Sequence, residues 1–193
     1  MLGLGWYRGF CGSRRRNNHL VAVTVYCGDV TQTFDSAQFR SVLGHVPTSV
    51  VVVTGVNSAG TPFGITIGSF TSVSLDPPLV GFFPGINSKS WASIRESGNF
   101  CVNVLGAAQE ELCWRFAKEG DDKFAGLEWS ATAGGSPMLP DCIAWIDCAL
   151  ESENPAGDHS FVVGRVSSLG HADAAEDAMV FFRGKVSSVK HVG

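Results

Sequence analysis

Thr66-Ile67-Gly68-Ser69-Phe70-Thr71-Ser72-Val73-Ser74-Leu75-Asp76-Pro77-Pro78-Leu79-Val80 is the stretch on which the fold turns. A half-buried strand alternates apolar and polar residues. Read as one strand from 62 to 75, this segment places Thr66, Gly68, Phe70, Ser72 and Ser74 on one face and Ile67, Ser69, Thr71 and Val73 on the other. Neither is a clean core face. Hydroxyls and backbone amides stand where a sheet normally buries methyl groups. Two explanations fit this pattern. A polar ligand lies along the strand, or Thr and Ser pair across strands on a solvated face, at a few tenths of a kcal/mol per pair. Asp76-Pro77-Pro78 ends the strand, because proline lacks the ladder donor.

Working outward, the neighbours read as strands of a β-rich domain. Ser49-Val50-Val51-Val52-Val53-Thr54 is apolar on both faces, as in a buried strand, and Asn57-Ser58-Ala59-Gly60 is a hairpin turn. Leu79 to Phe83, Phe100 to Leu105, Ile143 to Leu150, Phe161 to Val166 and Met179 to Phe182 continue the series. Three short helices are predicted. One starts at Asp35 or Ser36, carries Phe39, Val42, Leu43 and Val46 at helical spacing, and stops at Pro47; one opens at Ser88 with Trp91 and Ile94 and closes at Gly98; one covers 107 to 117 with Ala108, Leu112 and Phe116 on one face. There is no alternation of strand and helix and no internal repeat. Hairpin-linked strands this apolar are best served by a closed antiparallel barrel, which removes exposed edges.

Bulk properties set limits. The chain has 193 residues, enough for one domain with a short extension. The net charge of −4 argues against a nucleic-acid or anionic-membrane surface. Six cysteines at 11, 27, 101, 113, 142 and 148 form no C-x-x-C and no zinc spacing, so no metal site is expected. Most lie in apolar runs and read as reduced thiols of a cytoplasmic protein. Residues 1 to 33 show no coherent periodicity and read as an extension, or a start assigned too early. Arg14-Arg15-Arg16 before Leu20-Val21-Ala22-Val23-Thr24-Val25 resembles a twin-arginine signal, but the apolar run is short and no small-residue cleavage site follows.

Several catalytic motifs fail on context. Gly3-Leu4-Gly5 follows no strand. Gly64-Ile65-Thr66-Ile67-Gly68 has strand, not helix, after it, so it is no nucleophile elbow. Asp158-His159 is half of a hydrolytic triad, but adjacent residues in a tight turn are expected to orient one another poorly. Two further segments suit a ligand. Asn87-Ser88-Lys89-Ser90-Trp91 puts hydroxyls and a lysine at a helix start, which fits a phosphate or an ordinary N-cap. Gly157-Asp158-His159-Ser160 places a histidine at a turn between two apolar strands, to touch a ligand or merely to cap the turn.

In order along the chain, these segments resemble the flavin reductase-like family. The resemblance runs from about Phe39 to Gly184. It is carried by Gly64-Ile65-Thr66 with Ser69 to Val80, Ser88 to Trp91, Ser97-Gly98-Asn99-Phe100 with Val102 to Leu105, Gln109, Leu112, Phe116-Ala117, Lys123-Phe124, Gly157-Asp158-His159 and Phe182-Arg183-Gly184. The chain is similar to the reductase components of two-component flavin-dependent monooxygenases, such as nitrilotriacetate monooxygenase component B. The resemblance implies a mainly β, split antiparallel barrel that binds FMN or FAD, takes hydride from NADH or NADPH, and passes reduced flavin to a partner monooxygenase.

The resemblance also implies residue roles. Pro47, Thr48, Ser49 and Val50 border the flavin. Thr66, Ile67, Gly68, Ser69, Phe70 and Ser72 line the isoalloxazine and ribityl chain. Ser88, Lys89 and Ser90, with Trp91, lie near the phosphate. Lys123 and Phe124 come from a neighbouring subunit of a homodimer, and Gly157, Asp158 and His159 meet the nicotinamide nucleotide. Gly68 departs from the family pattern, which has a larger polar residue there, and Lys185 stands after Gly184 where an aromatic residue is common. The competing functions are a flavoprotein that reduces its own bound substrate and a non-catalytic flavin- or haem-binding split barrel.

Overall fold

In the computed structural model, residues 33–120, 122–172 and 177–190 are described. The chain divides into Met1–Phe34 and Asp35–Gly193, and the second unit is the one considered below. The arginine run and Cys11 and Cys27 lie outside the described residues.

The strands are β1 (Thr48–Ser49), β2 (Val51–Val56), β3 (Pro62–Ile67), β4 (Thr71–Leu75), β5 (Pro78–Phe82), β6 (Asn99–Val104), β7 (Ser130–Ala131), β8 (Pro137–Met138), β9 (Ala144–Ala156), β10 (His159–His171), β11 (Ala178–Phe182) and β12 (Lys185–Val189). The helices are α1 (Ser36–Leu43), α2 (Lys89–Ile94) and α3 (Glu110–Ala117). Seven strands form one antiparallel sheet in the order β3-β2-β6-β9-β10-β5-β4.

The two edge strands of that sheet, β3 and β4, are consecutive in the chain. Only Gly68, Ser69 and Phe70 separate them. Laid flat, seven strands would hold their edges roughly 29 Å apart, whereas the link spans at most ~14 Å. The sheet must therefore curl on itself. Because β3 and β4 do not pair, the result is a split barrel, joined at the link and unpaired along the seam. This corrects the reading of 62–75 as one strand. The chain breaks at 68–70, and its two halves pair with β2 and with β5. The face assignment for 66–74 falls with it. The single-strand reading failed because strand partners are non-local and Gly68 is the only conformational signal in the link.

Strand β2 is buried on both faces as expected. Val51 and Val53 enter the interior cluster with Ile67, Phe82, Trp91, Phe100 and Val162. Val50 and Val52 face the other way, into a second cluster with Leu105, Cys113, Phe116 and Met179 under α3. Buried polar groups pin the β7–β8 hairpin to the barrel. The Asn103 amide receives a 2.8 Å bond from Leu139 N and donates to Val52 O and Thr54 Oγ1, and the Thr54 hydroxyl donates to Pro137 O. Asp147, 1% exposed, accepts from Thr132 Oγ1 (2.7 Å), Gly134 N (3.0 Å) and Ser167 Oγ (3.3 Å).

Helices α1, α2 and α3 fall close to expectation. Asp35 caps α1 through Gln38 N at 2.7 Å and Ser88 caps α2 through Trp91 N at 3.2 Å. The surprise is α1, which buries no residue. Strand β12, unrecognised in the sequence, pairs with β11 through Arg183-Gly184. Both residues are left-handed (φ 50° and 78°), the signature of a type I′ hairpin turn. Among the described residues the cysteines are free. Burial pushes the Cys142 and Cys148 thiols up to about 12 and raises that of Cys101 as well.

Strands β9 and β10 run 13 residues each, well past the predicted limits. Gly164 in β10 lets this hairpin close over the interior, since a Cβ there would stand 2.3 Å from Phe100 Cζ and 3.1 Å from Cys148 Cβ. Gly164→Ala is expected to lower stability by about 1–3 kcal/mol through overpacking, read as a shifted midpoint in chemical denaturation.

Candidate functional site

The seam of the barrel is where the sheet presents unpaired main chain. Strand β3 is an edge, with β2 on one side only. Its inward residues Phe63, Ile65 and Ile67 pack against the interior cluster, while Gly64 and Thr66 point to α3. A Cβ on Gly64 would stand 2.5 Å from the Phe116 ring. The Thr66 hydroxyl donates to Cys113 O at 2.7 Å. Its donor is thus committed to holding β3 against α3.

Two clefts open along the seam. The first, about 890 Å³, is lined by Phe39 and Leu43 of α1, residues 65–69, Phe83, Pro84, Gly85, Ala156 and His159. The second, about 570 Å³, is lined by Phe63, Ile65, residues 85–90, residues 116–120, Lys123, Asp158 and His159. They share Ile65, Gly85 and His159 and so form one trough. One end is apolar. The other carries Lys89, Lys118 and Lys123 with Ser88 and Ser90, against Glu119 and Asp158. A flat apolar ring system with a phosphate tail matches this polarity. Gly85, at the junction, has open space where a Cβ would be.

The predicted site residues distribute unevenly. Thr66, Ile67, Gly68, Ser69, Ser88, Lys89, Ser90, Lys123, Asp158 and His159 line the trough. Thr48 stands beside it, its Oγ1 3.1 Å from where a Gly68 Cβ would lie. Pro47, Ser49 and Val50 are on the segment bearing β1, with Val50 buried in the second cluster. Phe70 packs against the interior cluster, and Ser72 is exposed on β4. Trp91 is core, 3% exposed, edge-on to Phe82 and Phe100, its Nε1 donating to Glu153 Oε1 at 3.2 Å. Phe124 packs edge-on to Phe116 under the second cluster. Gly157 forms, with Asp158, the two-residue turn between β9 and β10. Its φ of 68°, with no positive φ at Asp158, fits a type II′ turn, which favours glycine in that first place.

Lys123 lines the cleft of its own chain. Its Nζ donates to Gly64 O (3.2 Å), Ser90 Oγ (3.2 Å) and Phe116 O (3.1 Å), which ties β3, α2 and α3 together at the charged end. Sequence reasoning also missed Phe63, Ile65, Phe83, Pro84, Gly85 and Lys118. Pro84-Gly85 read only as a strand end, and the apolar residues carried no signal separating them from core.

Asp158 and His159 meet after all. His159 Nδ1 lies 2.7 Å from Asp158 Oδ1, and this hydrogen bond, then the imidazole's charge, holds the Asp158 carboxyl below its ordinary range. A carboxylate only accepts, so Nδ1 carries the proton and donates, and Nε2 is left for other partners. Among the described residues no hydroxyl or thiol bonds Nε2, so the pair lacks the nucleophile a hydrolytic triad requires.

Comparison with known proteins gives the family of the chain. The flavin reductase like domain family matches residues 43–190. A flavin reductase of Pseudomonas putida is 46% identical over 155 residues, covering 80% of this chain and 91% of its own. Nitrilotriacetate monooxygenase component B from Mycobacterium thermoresistibile superposes with a TM-score of 0.76 at 39% identity, over 80% of this chain and 86% of its own. The Streptomyces globisporus NADH:FAD oxidoreductase SgcE6, solved with NAD and FAD fragments, gives 0.74 at 34%, over 79% and 92%. The chain belongs to the flavin reductase-like family, a class of oxidoreductases.

Lys123→Met is expected to cost roughly 1.5–3 kcal/mol, the worth of a charge-assisted hydrogen-bonded tie. Urea denaturation measures it.

Proposed function

We propose that the protein is an NAD(P)H:flavin oxidoreductase that reduces FMN or FAD and supplies the reduced flavin to a partner monooxygenase. The observation that carries this is the single trough along the seam, apolar at the link end, cationic at the α2 end, with His159 at the junction. The named relatives include a flavin reductase, a monooxygenase component and an oxidoreductase solved with NAD and FAD fragments.

Bound flavin supplies the acceptor for hydride from the nicotinamide ring, and the protein supplies position and exclusion. Residues 66–69 hold the ring with main-chain groups of the unpaired β3 edge and the link, because the Thr66 donor is committed to Cys113 O and Ser69 Oγ accepts from Phe83 N at 2.9 Å. Lys89, Lys118 and Lys123 neutralise the phosphate end. The Asp158 carboxylate fixes the His159 ring so that Nε2 is available to the donor nucleotide. The working domain is residues 34–193, with 1–33 an extension, in a cytoplasmic protein. Among the described residues no helix is long and apolar enough to cross a membrane.

The functional unit is a homodimer. Val42 and Val46 of the α1 segment are 61% and 56% exposed, beside the partly exposed Phe182 that His45 meets. His45 is edge-on to Phe182, which extends the α1 face, while Phe181 points to the other side of β11 and meets Trp114; a second copy covers the α1 face. Light scattering is expected to give twice the chain mass, and Val42→Asp with Val46→Asp to shift it toward the monomer.

Mixing protein, NADH or NADPH and free FMN or FAD, and following the nicotinamide absorbance band, tests the activity. Rapid oxidation that depends on added flavin is expected. A yellow protein that consumes no nicotinamide would instead be a flavin-binding module, and turnover without free flavin a flavoprotein with its own substrate. His159→Ala is expected to raise the KM for the nicotinamide nucleotide several-fold while leaving flavin affinity nearly unchanged. An unchanged KM would remove His159 from donor binding.

A further inference from the structure

Phe83 is the one large aromatic side chain of the β5 end that the core does not absorb. Its neighbour Phe82 is fully buried in the interior cluster, whereas Phe83 is 38% exposed and lines the apolar cleft with residues 66–69. Three features build its position. One face of the ring is covered by Phe161, with centroids 4.9 Å apart and planes inclined by 21°. Phe161 in turn has room because residue 81 is glycine, where a Cβ would stand 2.7 Å from Phe161 Cε2. The Phe83 backbone is clipped to the link between the edge strands, its N–H donating to Ser69 Oγ at 2.9 Å. The ring is thus held from behind and from below, with part of its surface toward the cleft. His159 and Phe161, two residues apart on β10, share a face beside it.

We infer that Phe83 is the stacking platform for the isoalloxazine ring, braced by Phe161 and placed by Ser69. The inference rests on the reading of the trough as a flavin site and adds the residue that sets the plane of the ring. A braced aromatic surface in a concave apolar cleft favours a planar, extended π-system, and its own conformational freedom is already lost before binding. The isoalloxazine is the planar group assigned to this cleft. Residues 66–69 then meet its hydrogen-bonding edge, and Phe83 covers one face, leaving the other for the nicotinamide. Phe83 touches the cofactor but exchanges no proton or electron with it, so its effect falls on affinity and ring orientation.

The test uses the full-length protein with FMN and FAD as probes, followed by flavin fluorescence and, separately, by steady-state kinetics. Phe83→Ala is expected to raise the flavin dissociation constant roughly two- to tenfold, the worth of one aromatic pair, with the KM for NADH at saturating flavin unchanged. Phe83→Trp keeps the platform. It is expected to hold affinity within about threefold and to quench the bound flavin's fluorescence strongly, because an indole in van der Waals contact with isoalloxazine is an efficient electron-transfer quencher. Thermal melts establish that both variants fold. Unchanged flavin affinity in Phe83→Ala, or undiminished fluorescence of flavin bound to Phe83→Trp, overturns the proposal. A raised KM for NADH with unchanged flavin affinity overturns it in favour of a donor-binding role. Failure of the wild-type protein to bind either flavin overturns the flavin site itself, a result separate from all of these.

Discussion

Three residues, Gly68, Ser69 and Phe70, join the two edges of a seven-stranded sheet, and this short covalent tether governs the architecture. A sheet of that width with its edges held so close must curl. Once curled, it brings the linked ends of β3 and β4 together without pairing the strands, so the barrel carries a seam. A sheet edge inside a folded domain is normally a liability, because unpaired N–H and C=O groups invite strand addition or aggregation. Here residues of β3 line a trough, and in the proposed function its unpaired groups serve as the recognition surface for a heterocycle. The tether thus makes both the fold and the site.

The seam is kept open and shaped by groups spent on structure. Thr66 donates to Cys113 O, Ser69 clips the main chain of Phe83, and Ser88 caps α2. Lys123 ties three elements at the end where an anion belongs. Hydroxyls that look like ligand contacts in the sequence are partly satisfied within the protein, so the proposed function assigns the ligand to main-chain groups, Lys89, Lys118 and His159 together with the tied Lys123. That arrangement suits chemistry in which the cofactor carries the reactivity and the protein contributes geometry. Among the described residues, Asp158 and His159, 2.7 Å apart, meet no hydroxyl or thiol that would complete a triad.

The interior shows the same economy in its glycines. Gly64, Gly81 and Gly164 are each overlaid by an aromatic ring from a neighbouring element, Phe116, Phe161 and Phe100 respectively. Rings packed directly on backbone bring strands and helices closer than side-chain contacts would permit. The exposed apolar face of α1 is the converse case. Its periodicity is that of a core helix, yet it buries nothing within the described chain, and it lines the cleft through Phe39 and Leu43.

What the sequence by itself determined is local and periodic. Valine runs made β2 a strand buried on both faces, Asp35 and Ser88 started helices, Gly157 made a hairpin turn, and the ordered set of hydroxyl-rich segments pointed to a flavin. The limits of β9 and β10, the existence of β12 and the break at 68–70 were not legible, because each depends on a partner strand distant in the chain. The site divided the same way. The residue types were readable, but Trp91 and Phe124 went into the packing, while Phe83, Gly85 and Ile65 came to the trough. Apolar side chains carry the same sequence signal whether they fill a core or line a cleft, and only closure of the sheet around the three-residue tether decides which.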